Sequence, residues 1–486
     1  MAVLKDMREY LDFLDENGLL KKIDIEASPI LEIPEVLRRV MYRRGPALLF
    51  ENIEGYPNWR VAGNLFCNLD VFRKALGVGD LGDIGSRLVS LALSPPPTGI
   101  VEKIRAFKDM VSYSRYLPKI VGGSPIFETV LEAGDASLYK LPVFKTWPKD
   151  GGRYLTYPLV ITRDPEKDTY NMGVYRIMVL DDKRGVIHWQ IHKRGAESYR
   201  RAGESGLDRI PVAIAIGGDP GTLFTGAAPV PYPLDKYLFA GIVRGEGLHV
   251  VKLDSGLLAP AYSEAILEGY IDLGDTAYEG PFGDHMGYYD KPVDKYPVFH
   301  LERIYMRKEP IYYGSVVGKP ALEDAVIGKA VERIFLPIIK VMVPEITEMN
   351  LPEHGVFQGL AIVSIRKRYP GHAKKIMMGL WGLGQFSLTK MIVVVDHDVN
   401  PHDINQVIWA VSVNVDPQRD VLIIPRAHTD ALDPATPIQG YGSKLGIDAT
   451  RKLPEEYGGR EWPMEVEVDE DTRKLVDEKW SLYGLD

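Results

Sequence analysis

Between residues 124 and 313 the chain consists of short β-rich runs separated by Gly, Pro and Asp, and this texture constrains its fold most. Strands are predicted at six places: 157–162, 174–180, 185–192, 211–217, 249–253 and 298–307. Only two runs in this region have the texture of helices, 237–243 and 261–267. So many short strands favour a barrel or sandwich-like domain over a doubly wound sheet.

Helical and strand patterns alternate on both sides of this region. At the start, Leu4, Met7, Leu11 and Leu14 recur at helical spacing, and Asn17-Gly18 supplies a left-handed stop. In the last third, strands are predicted at 360–365 and 391–396, and helices at 373–380 and 401–411. We therefore predict an α/β protein with three domains: an N-terminal α/β domain at 1–118, a central β-rich domain at 119–325 and a C-terminal α/β domain at 326–486.

The C-terminal domain is predicted to end in a polar tail helix near 471–483. Leu475, Val476 and Trp480 form a narrow apolar stripe on this helix. The stripe either packs on its own domain or docks on a second subunit. Docking on a second subunit would make the protein a homodimer or a higher homo-oligomer.

Charge and composition exclude several classes of protein. The formal net charge of −9 argues against a nucleic-acid binder with a basic surface. Cys67 is the single cysteine, so one chain holds neither a disulfide nor a cysteine zinc cluster. No signal peptide is visible and no apolar run approaches the roughly 20 residues that span a bilayer, so we expect a cytoplasmic protein without an integral membrane segment. The 35 prolines, with only ten asparagines and six glutamines, favour a thermophilic protein, although compositional drift would give the same counts.

The chain carries none of the common motifs for nucleotide or hydrolytic chemistry. It has no phosphate-binding Gly-x-x-x-x-Gly-Lys, no His-Glu-x-x-His and no Gly-x-Ser-x-Gly. The run from Gly77 to Gly82 fits Gly-x-Gly-x-x-Gly, but it follows a helix-like run, so we interpret it as a loop. Ordinary nicotinamide dehydrogenases, P-loop NTPases, zincins and serine hydrolases are therefore disfavoured.

The most suggestive segment is Glu279-Gly280-Pro281-Phe282-Gly283-Asp284-His285. Its glycines and proline disfavour a regular element, and a stiff loop can aim both carboxyl groups at one point. Mutual repulsion would then keep one carboxyl protonated near neutral pH, as a general acid requires. A turn with two solvated acids is the alternative.

Two further segments combine residue types that suit cations and anions. In Asn171-Met172-Gly173-Val174-Tyr175-Arg176 the amide oxygen suits a hard cation and the guanidinium suits a carboxylate, although an ordinary strand with an edge arginine looks the same. In His188-Trp189-Gln190-Ile191-His192-Lys193-Arg194-Gly195 a strand would place His188, Gln190 and His192 on one face, ahead of two cations suited to a phosphate. Core or surface histidines are the alternative there.

Taken together, these three segments closely resemble the UbiD family of decarboxylases, which use prenylated FMN. Four later segments resemble the family in the same order: 365–375, 377–381, 396–400 and 440–450. The resemblance covers nearly the whole chain. It implies that the central domain is a split β-barrel that binds the flavin and that the C-terminal domain drives oligomerisation.

The resemblance also implies roles for individual residues. Arg176, Glu279 and Asp284 match the catalytic network, while Asn171 and His192 match ligands of a divalent metal, usually manganese, that bridges to the cofactor phosphate. Cofactor contacts are implied for Val174, Tyr175, Arg176, His188, Trp189, Gln190, Lys193, Arg194 and Lys390. A flavin prenyltransferase would supply the cofactor, and a potassium ion is a further candidate.

One position departs from the family pattern. Where members commonly place a metal-binding Glu before Tyr237, this chain has Lys236, with Asp235 one residue earlier. A lysine ammonium has no lone pair for a metal, and its charge suits direct neutralisation of a phosphate. The third metal ligand is therefore open, and Asp235 is the candidate if the backbone shifts slightly.

Strand geometry adds an expectation of its own. Asn171 and Arg176 are five residues apart, so a regular strand would point them to opposite faces, yet both are expected to face one flavin. Gly173 tolerates positive φ and a bulge. We therefore predict that strand geometry is interrupted at 172–174.

The activity that the resemblance implies is non-oxidative decarboxylation of a small unsaturated carboxylic acid. Arg176 would hold the carboxylate, and Asp284, or Glu279, would protonate the carbon afterwards. A soluble anionic substrate is favoured, with trans-anhydromevalonate 5-phosphate first, giving isopentenyl phosphate in the archaeal mevalonate pathway. The alternatives are 4-hydroxy-3-polyprenylbenzoate or another aromatic acid and, in a different class, a non-catalytic flavin-binding subunit of a larger complex.

Overall fold

The structure is a computed structural model that describes residues 3–92, 113–190, 193–290 and 294–485. Its helices are α1 (Met7–Glu16), α2 (Glu32–Tyr42), α3 (Leu69–Ala75), α4 (Gly82–Ala92), α5 (Arg194–Glu204), α6 (Pro220–Ala227), α7 (Lys236–Arg244), α8 (Glu323–Met342), α9 (His372–Trp381), α10 (Ile404–Asn414), α11 (Pro417–Asp420) and α12 (Glu470–Lys479).

The strands of the first half are β1 (Leu20–Ile23), β2 (Ala47–Phe50), β3 (Arg60–Gly63), β4 (Lys119–Ile120), β5 (Thr129–Leu131), β6 (Tyr154–Leu155), β7 (Leu159–Arg163), β8 (Tyr170–Val174), β9 (Ile177–Val179), β10 (Arg184–Ile187) and β11 (Arg209–Ile216). Those of the second half are β12 (His249–Lys252), β13 (Leu258–Pro260), β14 (Ala265–Tyr278), β15 (Phe282–Gly283), β16 (Tyr289–Asp290), β17 (Lys295–Met306), β18 (Ile311–Tyr313), β19 (Ile346–Asn350), β20 (Leu360–Ile365), β21 (Met391–Asp396), β22 (Val421–His428) and β23 (Tyr441–Asp448).

The N-terminal part packs helices against a small mixed sheet with the order β1-β2-β3-β18. Helix α1 begins at Asp6, whose carboxylate caps its start by accepting the backbone N–H groups of Arg8 and Glu9, and Gly18 at φ +68° follows the end of the helix. Its apolar stripe is buried as the spacing predicts. Strand β18 arrives from the end of the central region, so the chain returns to this sheet after building the barrel.

The central sheet is a split barrel, as the family resemblance implied. Its strands follow the order β6-β9-β10-β17-β14-β11-β7-β8, with β5 added beside β17. Strands β8 and β9 therefore lie near opposite ends of this order, yet only Tyr175 and Arg176 separate them in the chain. A link this short spans roughly 10 Å, so the sheet must curl until its two ends meet without pairing. Arg176 lies in that split.

Two sequence predictions for this region were wrong. Residues 261–267, expected to be helical, lead into the long strand β14, which pairs with β11 on one side and β17 on the other. Ala265, Ile266 and Leu267 are all fully buried, and an apolar run without alternation looks the same in a buried strand as in a buried helix. Helix α6 was missed because glycine and threonine weaken its helical signal, whereas α5 was missed although it is rich in Ala, Arg and Glu, which favour a helix.

The C-terminal part has a five-stranded sheet with the order β19-β20-β21-β23-β22. Strands β20 and β21 and helices α9 and α10 lie where the sequence predicted them, within a few residues. Helix α8 packs closely on α4, where a Cβ at Gly85 would lie 2.0 Å from the carbonyl oxygen of Ile334. The tail helix α12 has no buried residue. Among the residues described, no helix is long and apolar enough to cross a membrane.

Candidate active site

The split of the barrel holds an arginine surrounded by carboxylates. Arg176 forms a two-pronged ion pair with Glu279, with Nε–Oε1 and Nη2–Oε2 both 2.9 Å. Its Nη1 contacts Asp284, and its Nη2 lies 2.6 Å from Asp290. All four side chains are mostly or wholly buried, and the guanidinium also lies over the ring of Phe282, 4.5 Å from its centre. Among the described residues, these contacts leave one N–H of Nη1 without a partner, since a guanidinium carries five donors.

The loop that carries both predicted carboxylates is fastened at several points. Strands β15 and β16 form a short hairpin, and Asp284 directly follows β15 in its connecting loop. Asp150 accepts the backbone N–H of Gly283 at 2.9 Å, and Gly151 donates to the Pro281 carbonyl at 2.7 Å. A Cβ at Gly283 would lie 2.1 Å from the Trp147 ring, so only glycine permits this approach. The loop is stiff, as its glycines and proline predicted.

Electrostatics in the site differ from the sequence expectation. Burial alone would raise the pKa of Glu279, but the adjacent Arg176 charge and the His188 hydrogen bond outweigh it and lower that pKa to about 2. The pKa of Asp284 is likewise lowered, because Arg176 and His285 outweigh its burial. The expectation that mutual repulsion keeps one of the two protonated is therefore wrong for this arrangement. Arg176 lies between them and removes the repulsion.

Two histidines complete the carboxylate cluster from opposite sides. His188 places Nδ1 2.8 Å from Glu279 Oε2, and His285 places Nδ1 2.6 Å from Asp284 Oδ1. The second contact raises the pKa of His285 to about 9, although burial opposes the rise. Strand β10 ends at Ile187, so the predicted common strand face of His188, Gln190 and His192 is wrong for the described part of that segment. Ile191 and His192 lie outside the described residues.

Three basic side chains lie beside the split, of which Lys236 is buried and Lys193 and Arg194 are partly exposed. Lys236 is 3% exposed and donates from Nζ to the carbonyls of Thr225 and Ala228, both at 2.6 Å. Burial first, and then the charges of Arg194 and Lys193, lower the pKa of Lys236 well below its usual range. Burial also lowers the pKa values of Lys193 and Arg194. A bound phosphate would favour the charged forms of these three groups, because its negative charge offsets the burial that lowers their pKa values.

Of the other predicted cofactor residues, Tyr175 and Trp189 contact each other next to Gly195. The Tyr175 hydroxyl accepts the N–H of Gly195 at 3.1 Å and meets the Asn171 amide nitrogen at 3.3 Å. Trp189 packs edge-on to the Tyr175 ring, and its indole N–H is buried without a hydrogen-bond partner among the described residues. Val174 is the last residue of β8, and the Gln190 side chain is buried. Lys390 lies in the C-terminal part, where its ammonium pairs with Asp433 at 2.9 Å.

The predicted metal ligands fit a cation only in part. The Asn171 side-chain oxygen is buried without a partner among the described residues, as a ligand oxygen would be without its ion. Asp235 is fully engaged elsewhere, because it caps α7 through Tyr237 and Leu238 and accepts the N–H of Tyr170 at 2.7 Å. Lys236 offers no lone pair. Among the described residues, Asn171 is therefore the one clear ligand, and the other predicted ligand, His192, lies outside them.

A second arrangement of ligand-type atoms lies within the carboxylate cluster itself. His188, Glu279 and Asp290 bring one ligand atom each within 4.8 Å of one another. Arg176 already occupies Glu279 with two N–H groups and Asp290 with one. A metal ion there would lie against a guanidinium cation, so we assign these atoms to the ion-pair network.

The interruption of the strand begins at Tyr175, directly after the predicted range of 172–174. Strand β8 pairs regularly with β7 from Tyr170 to Val174, so the prediction of a break at 172–174 was wrong. The strand ends after Val174, and the Tyr175–Arg176 link turns across the split instead. Gly173 is required for a different reason, because a Cβ there would lie 2.4 Å from the Tyr175 ring that folds back over it.

Asp290 and Phe282 are site residues that the sequence reasoning missed. Both belong to the β15–β16 hairpin that also carries Asp284. Phe282 was part of the quoted motif without a role, and it forms the apolar floor beneath the Arg176 guanidinium. The signal that could have revealed Asp290 is the hairpin pairing itself, since Phe282 and Asp290 are directly opposite each other in register.

Comparisons with known proteins agree with this architecture. Family models of 3-octaprenyl-4-hydroxybenzoate carboxy-lyase match in order: the N-terminal domain at residues 11–88, the Rift-related domain at 119–320 and the C-terminal domain at 325–449. A protein of Aeropyrum pernix described as uncharacterized is 61% identical, covering 100% of both chains. One of Archaeoglobus fulgidus, described in the same way, is 48% identical and covers 98% of each chain.

Solved structures resemble the chain over its full length as well. The closed form of vanillic acid decarboxylase from Sedimentibacter hydroxybenzoicus superposes with a TM-score of 0.85 at 28% identity, covering 99% of this chain and 100% of that one. HmfF from Pelotomaculum thermopropionicum in complex with FMN gives 0.77 at 28%, covering 97% and 99%. An evolved dimeric form of HmfF with prenylated FMN gives 0.77 at 26%, with the same coverage.

Fold, site and comparisons define a carboxy-lyase with a split-barrel domain between two α/β domains. The chain belongs to the UbiD family of decarboxylases, whose three domain models it matches in sequence order.

Proposed function

We propose that the protein is a prenylated-FMN-dependent, non-oxidative decarboxylase of an unsaturated acid. The observation that carries this proposal is the buried Arg176 in the split of the barrel, which is bound by Glu279 and Asp284 and keeps one N–H without a partner among the described residues. That N–H can receive a substrate carboxylate in a site shielded from water. The neighbouring structures of a vanillic acid decarboxylase and of HmfF with FMN and prenylated FMN support the same chemistry.

The residues around the split fit the proposed cofactor. Its phosphate would be held by Lys193, Arg194 and Lys236, because an anion there offsets the burial that lowers their pKa values. The Trp189 indole N–H, which has no partner among the described residues, is a further candidate donor. When bound, prenylated FMN supplies an electron-accepting ring that holds the electron pair left behind by carbon dioxide.

The chain's own residues provide positioning and proton transfer. Arg176 orients the substrate carboxylate, and Glu279 is held in place by Arg176 and His188 together. Asp284 delivers a proton to the carbon after carbon dioxide has left, because its carboxyl lies against Arg176 where the carboxylate binds. Hydrogen bonds from Asp150 and Gly151 to the loop backbone hold the carboxyl groups of Glu279 and Asp284 at fixed positions relative to Arg176.

For the substrate we propose trans-anhydromevalonate 5-phosphate, which would give isopentenyl phosphate. Support comes from Lys236, a basic residue in addition to Lys193 and Arg194, from the thermophile-like composition and from relatives in Aeropyrum pernix and Archaeoglobus fulgidus. An aromatic acid is the second candidate, because the vanillic acid decarboxylase covers the whole chain at 28% identity.

Co-expression with a flavin prenyltransferase tests the proposal. The purified protein is expected to carry a cofactor with the mass and absorbance of prenylated FMN and to release carbon dioxide from one acid of a panel containing both candidates. Asp284→Asn should retain the cofactor and lose turnover about 10²-fold or more, since an amide does not donate the proton at useful rates. Cofactor binding without carbon dioxide release from any acid would instead support a non-catalytic flavin-binding subunit.

A further inference from the structure

The lowered pKa of Asp284 poses a question about the source of its proton. A general acid must be protonated when the carbon needs the proton, yet Arg176 and His285 both favour the ionised form of Asp284. The proton must therefore be held by a neighbour within hydrogen-bonding distance of Asp284. His285 is the neighbour that can carry one.

The placement of His285 suits this task. Its Nδ1 lies 2.6 Å from Asp284 Oδ1, and its ring stacks on Phe357 of the C-terminal part, with centroids 5.3 Å apart at 21°. Its Nε2 is buried without a hydrogen-bond partner among the described residues. The stack fixes the ring plane, so the Nδ1–Asp284 contact is the one directed hydrogen bond of this imidazole in the described structure.

The charges that face His285 come from three parts of the fold. Asp284 is next to it in the loop, Asp324 approaches from the start of α8, and Asp430 approaches from the segment after β22. Arg176 and Lys193 face Asp284 and oppose these carboxylates. The pKa of His285 is raised to about 9 because Asp284 and the other two acids outweigh burial.

The imidazole is not needed to hold the loop. Asp284 Oδ1 also accepts the backbone N–H of His285 at 2.6 Å, and the loop is fastened separately through Gly283 and Gly151. A neutral residue at 285 would keep all three of these backbone contacts. What it would remove is the proton on Nδ1.

We propose that His285 stores the proton that Asp284 delivers to the product carbon. The proposal rests on the decarboxylase function proposed above and adds a residue to it. After carbon dioxide leaves with the carboxylate oxygens, the Nδ1 proton passes to Asp284 Oδ1, and Asp284 gives a proton to carbon, which forms the new C–H bond. His285 is left neutral, and one proton from solvent per turnover restores the pair.

The first experiment needs neither cofactor nor substrate. In protein carrying isotopically labelled histidine, one of the ten histidine ring signals is expected to titrate near pH 9 by NMR. His285→Gln should remove that signal, and Asp284→Asn should lower its midpoint toward the ordinary histidine value of about 6.5. His300→Gln is the matched control, because His300 also pairs with a carboxylate, Asp275 at 2.7 Å, but lies on the part-exposed strand β17. A midpoint for His285 near 6.5 would overturn the proposal.

The second experiment uses the loaded enzyme and its pH profile. His285→Gln is expected to reduce kcat about tenfold to a hundredfold with little change in KM, and to remove an alkaline limb near pH 9. His300→Gln should keep the parental profile. An unchanged kcat and alkaline limb in His285→Gln would also overturn the proposal. If the parent releases no carbon dioxide from any acid, the proposed function fails, whereas the NMR titration still decides whether His285 holds the proton.

Discussion

The guanidinium of Arg176 and the carboxylate of Glu279 are joined by two parallel hydrogen bonds, both 2.9 Å long, across 103 residues of sequence. Two parallel bonds fix the plane of the carboxylate as well as its distance, which a single contact does not. His188 Nδ1 lies 2.8 Å from Oε2 of the same carboxylate. The split of the barrel brings these three residues together, since Arg176 lies in the link between opposite ends of the sheet.

Arg176→Lys tests the value of the two-pronged geometry. Lysine keeps the positive charge but cannot form two parallel hydrogen bonds, so Glu279 and the substrate carboxylate should both lose their orientation. Turnover is expected to fall by about 10²-fold or more with cofactor still bound, measured as carbon dioxide release at matched cofactor absorbance. Arg303→Lys is the control, because Arg303 pairs with Glu132 and Asp254 rather than with the site. Turnover of Arg176→Lys within a few-fold of the parent would remove Arg176 from the proposed role.

Glu279 gives the protein a predictable dependence of stability on acid. Its pKa is lowered from 4.5 to about 2, because the Arg176 charge outweighs burial. A lowered pKa stabilises the fold above pH 4.5, and this contribution is lost as the pH falls toward 2. The full contribution is about 3 kcal/mol at neutral pH.

Glu279→Gln should therefore lose less stability on acidification than the parent does. Between pH 6 and pH 3, the parent is expected to lose about 2 kcal/mol more of its unfolding free energy than Glu279→Gln, measured by urea unfolding at each pH. Glu246→Gln serves as the control, because Glu246 is part-exposed and 3.9 Å from its nearest lysine. Identical acid sensitivity in the parent and Glu279→Gln would contradict the lowered pKa.

Lys236 should reduce the need for a metal. The Lys236 ammonium is buried beside Arg194 and Lys193, and Asp235 is engaged as a helix cap. The holoprotein is therefore expected to hold less than one tightly bound divalent ion per chain by elemental analysis. Lys236→Met should lower cofactor occupancy, since it removes a charge from the proposed phosphate site, whereas Lys74→Met on the exposed surface should not. One manganese per chain with activity lost on chelation would contradict this expectation.

The sequence predicted the residues of the site better than their electrostatics. Arg176, Glu279 and Asp284 were identified through family segments, and the structure brings all three into contact. Spacing along the chain could not reveal that Arg176 lies between the two carboxylates, because that depends on closure of a sheet whose strand order is set by long-range pairing. The protonation states followed from that placement, so the expected protonated carboxyl was wrong.

Local patterns failed where burial hides periodicity. Strand β14 is buried from Ala265 to Glu268, so the alternation that distinguishes a strand is absent and residues 261–267 looked helical. The break after Val174 was placed at Gly173 because glycine is the residue most tolerant of irregular backbone. The glycine in fact accommodates the ring of Tyr175, a contact between side chain and backbone that no one-dimensional pattern contains.

The C-terminal tail should join subunits. No residue of α12 is buried, and Leu482 and Leu485, which follow this helix, are 81% and 65% exposed. Ile408 and Trp409 on α10 are exposed apolar residues as well. Apolar surface of this kind on a tail is stabilised by burial against a second copy of the chain. The protein is therefore expected to have a solution mass of at least twice 54.4 kDa by light scattering.

Leu482→Asp should weaken that assembly, because a carboxylate placed in an apolar interface must be desolvated. The Leu482→Asp assembly is expected to dissociate into single chains on dilution at a protein concentration about tenfold higher than the parent assembly does. This corresponds to a loss of about 1.4 kcal/mol of binding free energy, which is a tenfold change in affinity. Leu207→Asp is the matched control, because Leu207 is also exposed, at 42%, but lies in the turn between α5 and β11. A monomeric parent, or equal dissociation of Leu482→Asp and Leu207→Asp, would show that the tail does not hold subunits together.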